Sequence, residues 1–397
     1  MTPPPAPEHQ GPAPPPAAPL ADPPAPPPAA PLGTMGALAA ERAVVICCGP
    51  GGVGKTTVSA SVALQGARLG RRACVVTVDP ARRLADSLGL ESLANTPAEV
   101  PGDWPGHLDA VMLDTKSTFD DLIHRYARSP EQAEAIATNR LYQNLAGALS
   151  GTQEYMAMEK LYELTGSGNY DLVVVDTPPS RNALDLLDAP RRLTHFLENR
   201  LFRALLLPTR AYLRAVSMAT RTLLRTVSSV AGADIVDDAV AFFQAFQGME
   251  EGFRTRAGTV RALLADPATA YVVVTSGRPD AVAEATFFVE RLKDRGVAPA
   301  ALVVNRVEPD FGVGSDDLPD PPAGSELRAM VDNLRELQAV AAGEEETYAG
   351  LVKMVDPAPV GRVPLLSSDV HDLQGVAEVA DRLFGPATTS PGGGVVG

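Results

Sequence analysis

Five short runs, AVVICCG, RACVVTVD, DLVVVDTPP, AYVVVTSG and AALVVNRV, are apolar at almost every position and rich in β-branched residues. A strand with one wet face alternates apolar and polar positions. Runs that are apolar throughout belong to a sheet covered on both faces, and the long segments between them point to parallel strands joined by helices. The pattern therefore predicts the α/β class, with a doubly wound, mostly parallel sheet. Two segments interrupt the alternation, about residues 117 to 168 and about 190 to 266. Both carry helical spacing and both are too long for simple crossovers, so they are expected to form a helical subdomain above one edge of the sheet. A stretch rich in Pro, Gly and Asp from Glu308, EPDFGVGSDDLPDPPAGSE, predicts an exposed loop, followed by a charged helix over about residues 325 to 350.

Composition sets the boundaries of this body. Residues 1 to about 40 are nearly all Pro and Ala, and residues 386 to 397 read PATTSPGGGVVG. Neither end can pack a core, so both are expected to be extended tails flanking one body over 41 to 385. The first tail reads as a tether or, alternatively, as a ligand for an aromatic groove on a partner. No apolar run approaches the roughly 18 residues needed to cross a bilayer. No basic, apolar leader opens the chain, so a cytoplasmic protein is expected, with peripheral contact at a membrane left open. The net charge of −14 and the isoelectric point near 4.9 argue against a nucleic-acid partner, because neutralising phosphates needs a basic field. Cys47, Cys48 and Cys74 stand neither in a C-x-x-C pair nor near a histidine at metal-ligand spacing, and are expected to be buried and reduced.

Gly49 to Thr56 fits G-x-x-x-x-G-K-T, directly after the first apolar run and before the helical TTVSASVALQGARLG. Strand, loop and helix in that order make the motif a phosphate-binding loop. Its candidate nucleotide-binding positions are Gly51, Gly52, Val53, Gly54, Lys55, Thr56 and Thr57. Backbone N–H groups line such a cradle, and the helix N-terminus adds partial positive charge. Lys55 is placed to bridge the β- and γ-phosphates, and the Thr56 hydroxyl to ligate Mg²⁺. Asp176 ends the run DLVVVD, where a carboxylate reaches Mg²⁺ directly or through water. Asp79 ends RACVVTVD on the same carboxyl edge, as the candidate for orienting the attacking water. Lys55, Asp79 and Asp176 form the candidate catalytic set.

The succession GPGGVGKTT, VDPARRLAD, VVVDTPPS, LVVNR and VPLLSSDV resembles the anion-transporting ATPases, which include the arsenite-pump ATPase and the eukaryotic factor that targets tail-anchored membrane proteins. The similarity runs over about residues 41 to 385. Within it GTQEYMAMEKLYEL and DTPPSRNALDLLDAP resemble the actinobacterial branch, whose mycobacterial members are encoded as a pair. The resemblance implies a dimer that binds ATP and Mg²⁺. It also implies a water-positioning role for Asp79 in a first switch and a metal- and γ-phosphate-sensing role for Asp176 in a second. Asn305 is implied to hydrogen-bond adenine, with Pro364 to Asp369 forming a loop over the base; Asp369 stands where the family usually has Glu.

One position departs from that family. Its loop reads G-K-G-G-V-G-K-T, and the first lysine crosses the dimer interface to the phosphates of the other subunit; here that position is Pro50, whose side chain and backbone nitrogen donate nothing. A comparable trans-acting cation contributes about 10³- to 10⁵-fold in rate. A homodimer is therefore expected to be a slow ATPase, and a heterodimer with a lysine-bearing paralogue an asymmetric one. The alternative is a nucleotide-binding regulatory scaffold that barely turns over. A partitioning-type switch shares the loop but lacks the long insert. The family's C-x-x-C clasp and its arsenical-binding cysteines have no counterpart here, which argues against metalloid transport.

From Arg191 to Arg225 there are eight arginines against the single acid Glu198. Arg210, Arg214, Arg221 and Arg225 fall at helical spacing, with Leu213, Val216, Leu223, Leu224 and Val227 on another face. Such a helix is an ordinary surface helix paired with nearby acids, or one that contacts an anionic membrane or acidic partner. Phe242, Phe246, Met249 and Phe253 recur at i, i+4, i+7 and i+11, a stripe that is either core or the wall of a groove for a client helix.

Overall fold

The computed structural model describes residues 34–79, 83–140, 142–143, 152–178, 244–309, 311–313 and 318–385, with isolated positions between 188 and 242. Within them lie eight strands, β1 Val44–Cys48, β2 Arg72–Thr77, β3 Ala98–Glu99, β4 His107–Met112, β5 Leu172–Asp176, β6 Thr269–Thr275, β7 Ala301–Val307 and β8 Val360–Pro364. They form one sheet in the order β3-β4-β2-β5-β1-β6-β7-β8. All neighbours are parallel except β3 with β4. The described helices are α1 Gly36–Glu41, α2 Lys55–Arg68, α3 Arg83–Ser87, α4 Thr115–Tyr126, α5 Pro130–Ala137, α6 Thr152–Gly166, α7 Glu250–Leu264, α8 Pro279–Asp294, α9 Glu326–Val355 and α10 Leu373–Phe384.

Successive residues of each central strand feed two different cores, which is why these runs are apolar at every position. Val45, Cys47, Val75, Val174, Val272 and Val303 face the layer containing α2 and α10. Val44, Ile46, Val76, Val173, Val273 and Val304 face the layer built from α4 to α9. Cys47, Cys48 and Cys74 are buried and unbridged, and burial pushes their thiols upward. Among the described residues no helix is long and apolar enough to cross a membrane.

On the second face, Phe253 sits at the centre of an aromatic cluster. Its ring lies 5.1 Å from Phe246, 5.2 Å from Tyr126 and 6.3 Å from Phe119, the last edge-on. Phe242, Phe246, Met249 and Phe253 are all buried, so this stripe is core. Beside it, Glu159 accepts from Arg256 Nε at 2.7 Å and from the Tyr155 hydroxyl at 2.5 Å, and the Arg256 guanidinium covers the Tyr162 ring at 3.7 Å. This buried ion pair clasps α6 to α7. Removing one partner would leave the other charge without compensation.

At the amino edge of the sheet, the Arg71 guanidinium donates to three main-chain carbonyls: Ala39 at 2.6 Å, Arg42 at 2.8 Å, and Asp171. Burial lowers the Arg71 pKa, opposed by the Asp171 carboxylate.

The sheet has three strands beyond the five predicted, and each escapes a search for apolar runs for a physical reason. β3 has only two residues. β4 carries His107 and Asp109, and Asp109 is satisfied by His107 Nε2 at 2.8 Å and by the Tyr170 hydroxyl at 2.6 Å. β8 is an edge strand, VGRVP, in which the exposed Arg362 donates to the Tyr348 hydroxyl and to Glu345 of α9. α1 begins before residue 41, and its Leu38 and Ala39 are buried. The charged helix runs to Val355 rather than 350. Of the eight arginines from 191 to 225 only Arg191 is among the described residues, and residues 1–33 and 386–397 lie outside them.

Phe253→Ala is expected to cost about 3–5 kcal/mol in denaturant unfolding, the usual range for emptying an aromatic core position. A loss under about 1 kcal/mol would place the stripe on an open surface instead.

Candidate functional site

β1 ends at Cys48, and the chain turns through residues 49 to 54 into α2. Two glycines make this turn possible. At Gly49 a Cβ would lie 2.0 Å from the Val274 carbonyl oxygen of β6. At Gly54, where φ is 89°, it would lie 2.2 Å from Asn305 Nδ2. The first turn of α2 contains no acidic side chain, so its N-terminal N–H groups keep their positive field. Lys55 is 6% exposed and its Nζ donates to the Pro50 carbonyl at 2.7 Å. Burial lowers the Lys55 pKa, and the Asp176 carboxylate opposes that shift.

Register carries the acid into place. Asp176 pairs with Cys47 of β1 and with Thr77 of β2. Its Oδ2 accepts from Thr56 Oγ1 at 2.7 Å and from Thr77 Oγ1 at 3.0 Å. The other oxygen, Oδ1, is buried without a hydrogen-bond partner. Burial is the main reason the Asp176 carboxyl is pushed up to about 6; the two hydroxyls and Lys55 pull it down, and Asp79 pushes it up. Thr77 also accepts from the Asp79 N–H at 3.2 Å, and Arg83 Nη1 lies 4.0 Å from Asp79 Oδ2.

From the other side, Asn305 Nδ2 donates to the Val53 carbonyl at 2.9 Å and Arg306 Nη1 to the Gly52 carbonyl at 3.2 Å. Together these groups border a cavity of about 420 Å³, whose wall includes Gly52, Gly54, Lys55, Thr56, Thr57, Asp79, Asn305, Pro364 and Asp369. Val53 is buried and meets the site through its carbonyl, while Gly51 is exposed on the loop and Asp176 lies behind Thr56. The sequence reading missed Thr77, Thr177 and Arg306. Thr77 precedes Asp79 by two positions and Thr177 follows Asp176, so proximity to the two acids was the available signal. Thr177 donates to the Cys47 carbonyl at 2.8 Å and also lines the cavity.

A cavity of this size suits a nucleotide-sized ligand. The partnerless Asp176 Oδ1 and the Thr56 hydroxyl are hard oxygen donors of the kind Mg²⁺ takes, so the residues present fit that ion.

A glycine-rich turn with a buried lysine, set beside a strand-end acid where the strand order reverses about β1, defines a P-loop nucleotide-binding protein. The family model for anion-transporting ATPases matches residues 42–317, and the chain belongs to that family. ATPase GET3 of Malassezia globosa is 33% identical over 146 residues, 37% of this chain and 42% of that protein. A protein of Aquifex aeolicus provisionally named arsenical pump-driving ATPase 1 is 22% identical over 346 residues, 86% of this chain and 78% of its own length. A Streptomyces coelicolor protein without an assigned role is 30% identical over 271 residues, 67% of this chain and 63% of its own.

The Asp176 shift fixes a sign. Its carboxyl binds its proton more tightly folded than unfolded, so the stability it lends is complete below pH 3.8 and is lost as pH rises towards about 6. Relative to wild type, Asp176→Asn is therefore expected to gain up to about 3 kcal/mol between pH 3.5 and pH 7 in magnesium-free denaturant melts. A pH-independent difference would contradict the burial argument.

Proposed function

We propose that this chain is a Mg²⁺-dependent ATP-binding and ATP-hydrolysing subunit of a dimer. The observation that carries the reading is the Thr56–Asp176 hydrogen bond of 2.7 Å, beside a carboxylate oxygen that has no other partner. Thr56 and Asp176 would hold Mg²⁺, which when bound neutralises phosphate charge. Lys55 binds the β- and γ-phosphates, and the N–H groups from Gly51 to Thr57 orient them. Asp79 holds the attacking water at its carboxylate. Asn305 and the segment Pro364 to Asp369 enclose the base. Coupling to the helical layer is supported by Gln153 Nε2, which donates to the Val78 carbonyl at 3.1 Å, one residue before Asp79. Nucleotide state then biases α6, and through it the partner or client that the helical insert binds.

Pro50 makes the lone chain slow and leaves its dimer dependent on a lysine supplied by a paralogue. The same residue favours the second reading, a nucleotide-binding regulatory subunit with little turnover. Purified alone, the chain is expected to bind MgATP but hydrolyse it slowly, and Lys55→Ala to lose both properties. Pro50→Lys should raise turnover at least tenfold, towards the 10³ to 10⁵ that a trans-acting cation can supply. Fast hydrolysis by the lone wild-type chain would refute the dependence on a partner. Failure of Pro50→Lys to accelerate, with MgATP binding intact, would favour the regulatory reading.

A further inference from the structure

We infer that Arg306 contacts the terminal phosphate of the nucleotide bound by its own chain, a positive charge supplied in cis and distinct from the lysine that a partner would supply; the inference rests on the ATP-binding reading above. In a regular strand, neighbouring side chains point to opposite faces. Asn305 and Arg306 instead reach adjacent carbonyls of the same loop, Val53 and Gly52. What allows this is the irregularity in the β7–β8 ladder between Asn305 and Val307, where Arg306 has φ of 57°. Among the described residues no other non-glycine residue has positive φ. Glycine would adopt that backbone freely, so an arginine there bears strain while aiming a guanidinium at the loop.

The charge is also available. Arg306 is exposed, lines the cavity with Lys55, Thr56 and Asp79, and makes no ion pair with a described acid. Arg83, also on the cavity wall, has its Nη1 4.0 Å from Asp79 Oδ2. Gly52 belongs to the phosphate-binding loop, so the guanidinium stands against the backbone whose N–H groups would cradle the phosphates. A planar fork of N–H donors suits phosphate oxygens, and a charge-assisted contact of this kind changes affinity by roughly tenfold or more.

The test uses the full chain and three variants. Arg306→Gly keeps the left-handed backbone without strain, Arg306→Lys keeps the charge, and Lys55→Ala is the reference for a lost phosphate site. Dissociation constants for MgATP, MgADP and AMP are measured by calorimetry at low and high salt. Arg306→Gly is expected to weaken MgATP by roughly tenfold while changing MgADP much less and AMP not at all. Arg306→Lys should recover part of the loss, and the wild type should show the steeper salt dependence for MgATP. Equal losses for all three ligands would assign Arg306 to the base or to loop shape and overturn the inference, as would no loss. Those outcomes leave the ATP-binding reading standing. If the wild type and Lys55→Ala alike take up no MgATP, the underlying reading falls and this one with it.

Discussion

A single carboxylate oxygen receives hydroxyl protons from two separate elements, and the rest of the site depends on that sharing. Asp176 Oδ2 ties Thr56 at the start of α2 to Thr77 at the end of β2. A buried acid is costly unless hydrogen-bonded, so the two threonines and Lys55 are what allow it to sit there at all. Their demand in turn fixes the phase of β5 between β1 and β2. A slip of one residue would turn the acid to the other face of the sheet and leave both hydroxyls without it.

The parts of this architecture that sequence reveals are those governed by local rules. Valine-rich runs announced the five central strands because burial on both faces forbids alternation. The phosphate-binding loop was legible because its residues are contiguous. β4 and β8 were not, since Asp109 finds partners in His107 and Tyr170 only after folding, and Arg362 reflects an edge position. Thr77 stands two residues before Asp79, but its bond to Asp176 comes from strand register, and Arg306 reaches the loop through a ladder irregularity that no local motif announces. The phenylalanine stripe shows the same limit. A core and a groove share one periodicity, and only the rings of Phe119, Tyr126 and Tyr142 packed around it decide in favour of core.

The loop itself is held by three side chains. Lys55 holds the Pro50 carbonyl, while Asn305 and Arg306 of β7 hold the carbonyls of Val53 and Gly52. Proline at position 50 fits this arrangement, because the interaction there uses its carbonyl and needs no N–H. On the far side of the sheet, Gln153 joins α6 to the Val78 carbonyl next to Asp79, and the buried Glu159–Arg256 pair joins α6 to α7. The acids of the site and the helical layer are thus linked by hydrogen bonds as well as by apolar packing.

Arg71 gathers the roots of the sheet at a single charge. Its guanidinium joins the end of α1, the lead-in to β1 and the lead-in to β5, and the next residue begins β2. At the opposite ends of β2 and β5 the joint is a carboxylate, Asp176, taking two hydroxyls. The same strands are thus pinned by a cation at one end and by an anion at the other, so the two ends respond to different chemistry.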